Sequence, residues 1–421
     1  MISRWQWLLK HFFERLWVIA LLYALLAVAT IGLSSLLGPL LPDGLGVKLG
    51  AGALETVLTI LASSLLSVVT FSLGIMVSAF SGAAGAVTPR ATSLLKADRT
   101  TQRVLSVFLG SFLFSLIGII TLTAGLYDDE ERLILFAVTL LVVLLVVIAI
   151  FRWIAHLSVF GLMSDSISKV EAAVREALKA RMEAPFLGGH GHDGPPPSGA
   201  AAVLSPNIGY VCHIDMEALQ TTAKANGLRL YVAALPGSFV HPGAPLVWVD
   251  GKAGDCAEAL ATAFTIETAR DFDQDPRFGL SVLTEIAERA LSPAVNDPGT
   301  AIDVLGRAVR LLALWQEPRE AVLQFPLVWV PPLRLADMMG DVFPAIARDG
   351  AGVYSVQMRL QKSLLALARI SAPVFAAEAR HHSEQALARA APHMLPQEAE
   401  SLHDVASQIA SLPAGPLRQP M

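Results

Sequence analysis

The chain has 421 residues, of which 54% are hydrophobic and only 16% charged, with a formal net charge of -5. A mean hydropathy of +0.55, with charge well below the usual quarter of residues, excludes an ordinary cytosolic enzyme. The slight acidity excludes a generally basic nucleic-acid binder, and two cysteines, Cys212 and Cys256, cannot build a disulfide framework or a four-thiolate zinc site.

Residues 1–16 read as an interfacial amphipathic helix, because Trp5, Trp7, Phe12 and Phe13 alternate with Arg4, Lys10, His11 and Arg15. Four runs follow that contain no Lys, Arg, Asp, Glu or His: Trp17–Leu41, Thr56–Val87, Val104–Leu126 and Leu133–Phe151. Each reaches or approaches the roughly 20 residues that a membrane-crossing helix needs. They predict a four-helix transmembrane domain over 17–154. The first run is too long for a signal peptide's apolar core and three more follow it, so it is expected to stay in the chain. Arg4, Lys10, Arg15, Arg90, Lys96, Arg99, Arg103 and Arg152 fall on one side of these runs, against Lys48 and Arg132 on the other. The positive-inside rule then puts both termini in the cytoplasm.

The second run carries Thr56, Thr59, Ser63, Ser67, Thr70, Gly74 and Ser78 at steps of three and four, all on one helical face. Leu58, Leu61, Leu65, Val68, Leu73 and Ile75 are expected on the opposite face. A stripe of small and hydroxylated residues either lets another helix approach closely or lines a water-filled path. The third run has a weaker seam, Ser111, Ser115, Gly118 and Gly125, and the fourth is nearly all Leu, Val and Ile, as expected of a lipid-facing helix.

After the fourth run, 155–200 reads as a juxtamembrane helix and a Gly/Pro-rich linker, Gly188 to Gly199, in which His190 and His192 are solvated. Residues 201–252 read as a small β-rich module, with strands at Tyr210–Ile214, Leu228–Ala233 and Leu246–Val249 and a helix capped by Asp215. Residues 253–421 read as a helical cytosolic domain, including a helix over Asp255–Asp271, with Val322–Val330 as a possible strand. The fold class expected is an α-helical membrane domain followed by a mixed α+β, mainly helical cytosolic domain.

Motifs for chemistry are missing: there is no phosphate loop, dinucleotide glycine pattern, nucleophile elbow or H-E-x-x-H. No catalytic, cofactor-binding or metal-binding residue is predicted. Asp271, Asp273 and Asp275 alternate like a calcium loop, but Pro276 and Val282 occupy ligand-loop positions that need Gly and Glu, so an exposed acidic turn capping the next helix is expected. In Arg289-Ala290-Leu291-Ser292-Pro293-Ala294-Val295-Asn296-Asp297-Pro298, Pro293 stops one helix, Asn296 or Asp297 caps the next, and Pro298 suits its first turn.

That run, together with Phe71-Ser72-Leu73, Thr88-Pro89-Arg90, Asp98-Arg99, Gly209-Tyr210-Val211, Ile214-Asp215 and Pro236-Gly237-Ser238-Phe239-Val240, resembles a family of uncharacterised bacterial predicted membrane proteins. The resemblance runs from about Trp7 to Leu367 and implies location and architecture but no reaction. It marks Pro89, Arg90, Arg289, Ser292, Pro293, Asn296, Asp297 and Pro298 as motif residues without an assigned role. Gly82 to Gly85 departs from it, relatives being more polar there. Two functions fit these features: a homo-oligomeric channel or passive solute pathway lined by the second run, or a membrane-anchored sensor or scaffold without a pore. The partners expected are the lipid bilayer and a second copy of the chain, and not nucleic acid.

Overall fold

The computed structural model describes residues 16–37, 51–86, 88–96, 98–128, 131–158, 162–251, 254–315 and 322–413. Residues 1–15 of the expected interfacial helix, and Lys48 in the first loop, lie outside them. Contacts divide the chain into two units, Met1–Ser166 and Ile167–Met421.

The first unit is built of helices α1 (Leu16–Leu37), α2 (Ala51–Ala86), α3 (Pro89–Lys96), α4 (Arg99–Thr123) and α5 (Glu131–Leu157). Among the described residues three stretches are long and apolar enough to cross a membrane: Gly52–Gly82, Thr100–Thr123 and Glu131–Leu157. In α1 the apolar stretch described, Ala20–Ser34, is shorter. Helix α4 is the centre of the bundle, packing against α1, α2 and α5. Small residues make that possible. A Cβ at Gly110 would lie 2.7 Å from the Tyr23 ring, so only glycine lets α1 approach this closely, and at Gly118 a Cβ would meet Leu58 at 3.2 Å. Ser111 and Ser115 are fully buried, which makes the weaker seam of the third run the one that packs inside the bundle. Helix α5 is not lipid-facing all round. Leu135, Thr139, Val142, Val146, Ala149 and Trp153 form a buried stripe at helical spacing, while Leu140, Leu141 and Leu144 are exposed.

Helix α6 (Met163–Glu183) is separate from α5, which ends at Leu157, so the chain does not run on as one helix from Arg152. The second unit has two sheets. Strands β1 (His190–Gly191), β8 (Val328–Val330), β4 (Arg229–Val232), β6 (Pro245–Asp250) and β2 (Ala201–Leu204) form the first, in that order. Strand β8 pairs parallel with both β1 and β4, and the remaining pairs are antiparallel. Its inner face is a dry aliphatic layer of Val203, Leu230, Val232, Val247, Val249, Val328 and Val330, packed with Leu219 and Ala223 of helix α7 (Met216–Asn226). Asp215 caps α7 by accepting from the Ala218 amide at 2.9 Å. The second sheet has the antiparallel order β5 (Phe239–Val240), β3 (Gly209–Ile214), β7 (Phe264–Glu267).

Two expectations change here. The Gly188–Gly199 stretch is ordered in part as β1, with His190 stacked on Trp329 at 4.9 Å and His192 edge-on to Tyr231 at 5.1 Å, so its histidines are not solvated linker residues. The helix expected over Asp255–Asp271 is only a 3-10 turn and helix α8 (Ala257–Thr262), because Phe264–Glu267 pairs with β3 instead.

The remaining elements are helical: α9 (Pro276–Leu291), α10 (Pro298–Leu312), α11 (Leu335–Gly340), α12 (Phe343–Asp349), α13 (Tyr354–Ile370), α14 (Ala372–Ala390) and α15 (Pro396–Ser411). Phe343, Ile346, Leu360, Leu364 and Phe375 fill their core. Within it Ser383 donates to Gln361 Oε1 at 2.6 Å, and Gln361 Nε2 returns a bond to the Ser383 carbonyl at 3.1 Å.

Candidate functional site

Helix α2 turns its aliphatic side inward. Leu54, Leu58 and Leu65 are buried, and Leu61 and Val68 half-buried. Thr56, Thr59, Ser63, Ser67, Thr70, Gly74 and Ser78 are all exposed, a single outward stripe flanked by exposed Ile60, Leu66, Phe71 and Val77. Leu73 belongs with this exposed side and not with the inward face, since it stands only one residue, about 100° of helix, from Gly74. Four of the hydroxyls on the stripe bond within the helix. Thr56 donates to the Gly52 carbonyl at 2.6 Å, Ser63 to Thr59 at 2.9 Å, Ser67 to Ser63 at 3.2 Å and Thr70 to Leu66 at 2.9 Å.

Pro89 and Arg90 stand apart at the start of α3, both exposed, after a buried Thr88 whose hydroxyl accepts from the Ala91 amide at 3.3 Å. In the second unit Arg289, Ser292, Pro293, Asn296, Asp297 and Pro298 come together at the corner between α9 and α10. Asp297 is the cap of α10, accepting from the Thr300 amide at 3.1 Å and its hydroxyl at 2.6 Å, with Pro298 in the first turn. Its own amide donates to the Ala290 carbonyl at 2.7 Å, which closes the corner. Asn296 is not a cap: it is exposed, with a left-handed φ of 50°, a conformation asparagine tolerates better than most residues.

Two charged clusters are closed by arginines that the sequence reading did not connect to them. On α6, the carboxylate of Glu171 accepts from Arg310 Nε at 2.9 Å and Nη2 at 3.0 Å, from Arg307 Nη1 at 2.8 Å and from Arg175 Nη2 at 3.0 Å. Burial raises the Glu171 carboxyl, but the bonds and charges of Arg310 and Arg307 outweigh it and hold the group below its ordinary range.

The other cluster surrounds Asp275, which caps α9 through the Phe278 amide at 3.1 Å. This aspartate is buried, 3% exposed, which corrects the expectation of an exposed acidic turn: Arg270, five residues before it, neutralises it through Nε at 2.8 Å and Nη2 at 2.7 Å. The Arg270 guanidinium also lies 5.1 Å from the centre of the Phe278 ring. Gly237, at φ 92°, packs its backbone on this pair so closely that a side chain would overlap the Asp275 carboxylate. Burial, and then the neighbouring Asp273, push the Asp271 carboxyl up to about 6. Burial also pushes the Cys212 thiol to about 12, and its Sγ donates to the Ala269 carbonyl at 3.2 Å, so this cysteine is a packed thiol and no nucleophile. Arg181 of α6, 5% exposed, feels the charge of Asp275, yet its Nε and Nη1 reach no acceptor among the described residues. The available signal was the spacing of Arg270 and Asp275 around a helix start. Nothing local pointed to Arg181, some ninety residues away.

A family model described as Predicted membrane protein (DUF2254) matches residues 14–366. The chain belongs to this family. The DUF2254 match takes in the α2 face, the α9–α10 corner and both charged clusters. An uncharacterised protein of Mycobacterium bovis and one of Mycobacterium tuberculosis are each 35% identical over 117 residues, covering 26% of this chain and 22% of the relative. The match thus spans about a fifth of the length of those relatives. No solved structure matches the chain.

Proposed function

We propose that this chain is a four-span protein of the bacterial inner membrane, with both termini cytoplasmic, and that it self-associates through α2 to form a passive solute pathway rather than acting as an enzyme. The observation that carries this is the outward direction of the Thr56–Ser78 stripe, which leaves the most polar face of α2 exposed among the described residues of its own bundle. A second copy on that face makes a small-residue helix contact, and a ring of copies lines a path with hydroxyls. The absence of acidic, basic and histidine side chains from Thr56–Val87 fits passive movement better than proton coupling. The excess of Arg and Lys on one side of the spans supports the orientation.

The test is cysteine accessibility in the full chain with Cys212 and Cys256 replaced by Ser. Cysteines at Ser63, Ser67 and Thr70 should react with a membrane-impermeant thiol reagent, while those at Leu61 and Leu65, on the inward face of the same helix, should not. Equal inertness at all five positions sinks the pathway. An anchor or scaffold role is favoured by one observation: the hydroxyls of Thr56, Ser63, Ser67 and Thr70 already bond to carbonyls of their own helix, so lipid or a packed helix can cover them without water.

A further inference from the structure

We propose that Arg181 is the centre of a binding site for a small monoanionic carboxylate in the Ile167–Met421 unit. A guanidinium presents five N–H donors in a planar fork, and burying it calls for acceptors. Arg181 is 5% exposed and its Nε and Nη1 have none among the described residues. The contrast on the same helix is Glu171, whose three arginine partners show how this fold pairs guanidiniums that serve structure alone.

The nearest charge is committed elsewhere. Asp275 Oδ2 is occupied by two bonds from Arg270, and Oδ1 by the Phe278 amide that it caps. Gly237 and the Phe278 ring wall in the Arg270–Asp275 pair, so the carboxylate is not free to swing to Arg181 without uncapping α9. Arg181 and Arg270 thus face one committed carboxylate, and two buried donors of Arg181, Nε and Nη1, are left to be met. Burial lowers the Arg181 pKa only to about 10, so it remains a cation at neutral pH. One carboxylate supplies the two acceptor oxygens that match a guanidinium edge, whereas a phosphate dianion brings a second negative charge next to Asp275 and its neighbours Asp271 and Asp273. The site lies in a part of the chain that the pathway proposal does not use, and it stands or falls separately.

The experiment is thermal unfolding of the full chain in detergent, titrated with sodium acetate or propionate to about 100 mM against sodium chloride of equal ionic strength. Acetate should raise the unfolding temperature saturably and chloride should not. The shift should vanish in Arg181→Met and weaken at least tenfold in apparent affinity in Arg181→Lys, which keeps the charge but loses the fork. Inorganic phosphate should bind more weakly than acetate. The wild-type titration is decisive even if both variants fail to fold. No saturable response to either carboxylate means that water satisfies Arg181 and overturns the site. A response retained in Arg181→Met overturns its location, and tighter binding of phosphate overturns the monoanion class.

Discussion

Replacing Glu171 by Gln keeps the shape of the side chain and removes the charge that three arginines share. Removing one partner of a buried ion pair costs about 3–5 kcal/mol, because the other charge is left in a poor solvent. Here the carboxylate side chain is 11% exposed and that of Arg307 13%, but those of Arg175 and Arg310 are 34% and 52% exposed. The last two can turn to water, and Arg307 keeps Asp303 at 2.7 Å, so the expected loss falls to about 2–3 kcal/mol. Urea unfolding of the full chain in detergent, followed by the fluorescence of Trp248 and Trp329 in the five-stranded sheet, measures it. A double-mutant cycle separates the partners: coupling of Glu171 to Arg307 should be about 1–3 kcal/mol and to Arg310 under about 1 kcal/mol. If bond count decided, Arg310 with its two bonds would dominate instead. Because the folded Glu171 carboxyl is lowered, its contribution is present above the ordinary value of 4.5 and is lost as pH falls through the folded value. The gap between wild type and Glu171→Gln should therefore be constant near neutral pH and close in acid. A loss below about 0.5 kcal/mol, or stronger coupling to Arg310, refutes the reasoning.

At the α9–α10 corner, Asp297→Ala should cost about 1–2 kcal/mol and Asp297→Asn much less, whereas Asn296→Gly should be neutral or slightly stabilising and Asn296→Ala should cost about 1 kcal/mol. Equal effects of the two alanine changes in thermal melts would contradict the separate roles of cap and left-handed residue. For Asp271, whose carboxyl is raised from 3.8 to about 6 by burial and then by Asp273, the sign is opposite to that for Glu171: stability is full when the group is protonated and is lost as pH rises from 3.8 through about 6. Asp271→Asn should gain on wild type across that window and level off above it at no more than about 3 kcal/mol, and a pH-independent difference between the two proteins would remove burial as the cause.

The helices α2, α4 and α5 were legible because a charge-free run of membrane length is rarely anything but a spanning helix. Asp215 and Asp297 were legible as caps because a cap acts on amides two or three residues away. What escaped the sequence was set by distance along the chain. Strand β1 has two residues, too few to show a period of two, and β8 is the last three residues of the expected Val322–Val330 strand, whose partners β1 and β4 nothing local indicated. Gly189 and Gly191 look like linker glycines, yet a Cβ at Gly189 would overlap the Val328 carbonyl and one at Gly191 would lie 2.6 Å from the Phe186 ring. They serve close approach, not flexibility. The direction of the α2 stripe was equally hidden, since spacing puts residues on a common face but only the packing of Leu58 and Leu65 says which way that face turns.

The parallel pairing of β8 has a consequence for how the chain is made. Its residues, Val328–Val330, sit between β1 and β4 and must arrive before the five-stranded sheet can close. About 170 residues separate them from the end of α5, which at 5–20 residues per second is roughly ten to thirty seconds of translation. For the second half of that interval, the roughly 96 residues made after Val232, β1 and one edge of β4 wait unpaired beside an uncovered valine layer. Such long-range pairing also folds slowly once complete. A nascent chain truncated just before Leu327 should therefore insert in the membrane normally yet leave this sheet open to protease, and one extended well past Val330 should not.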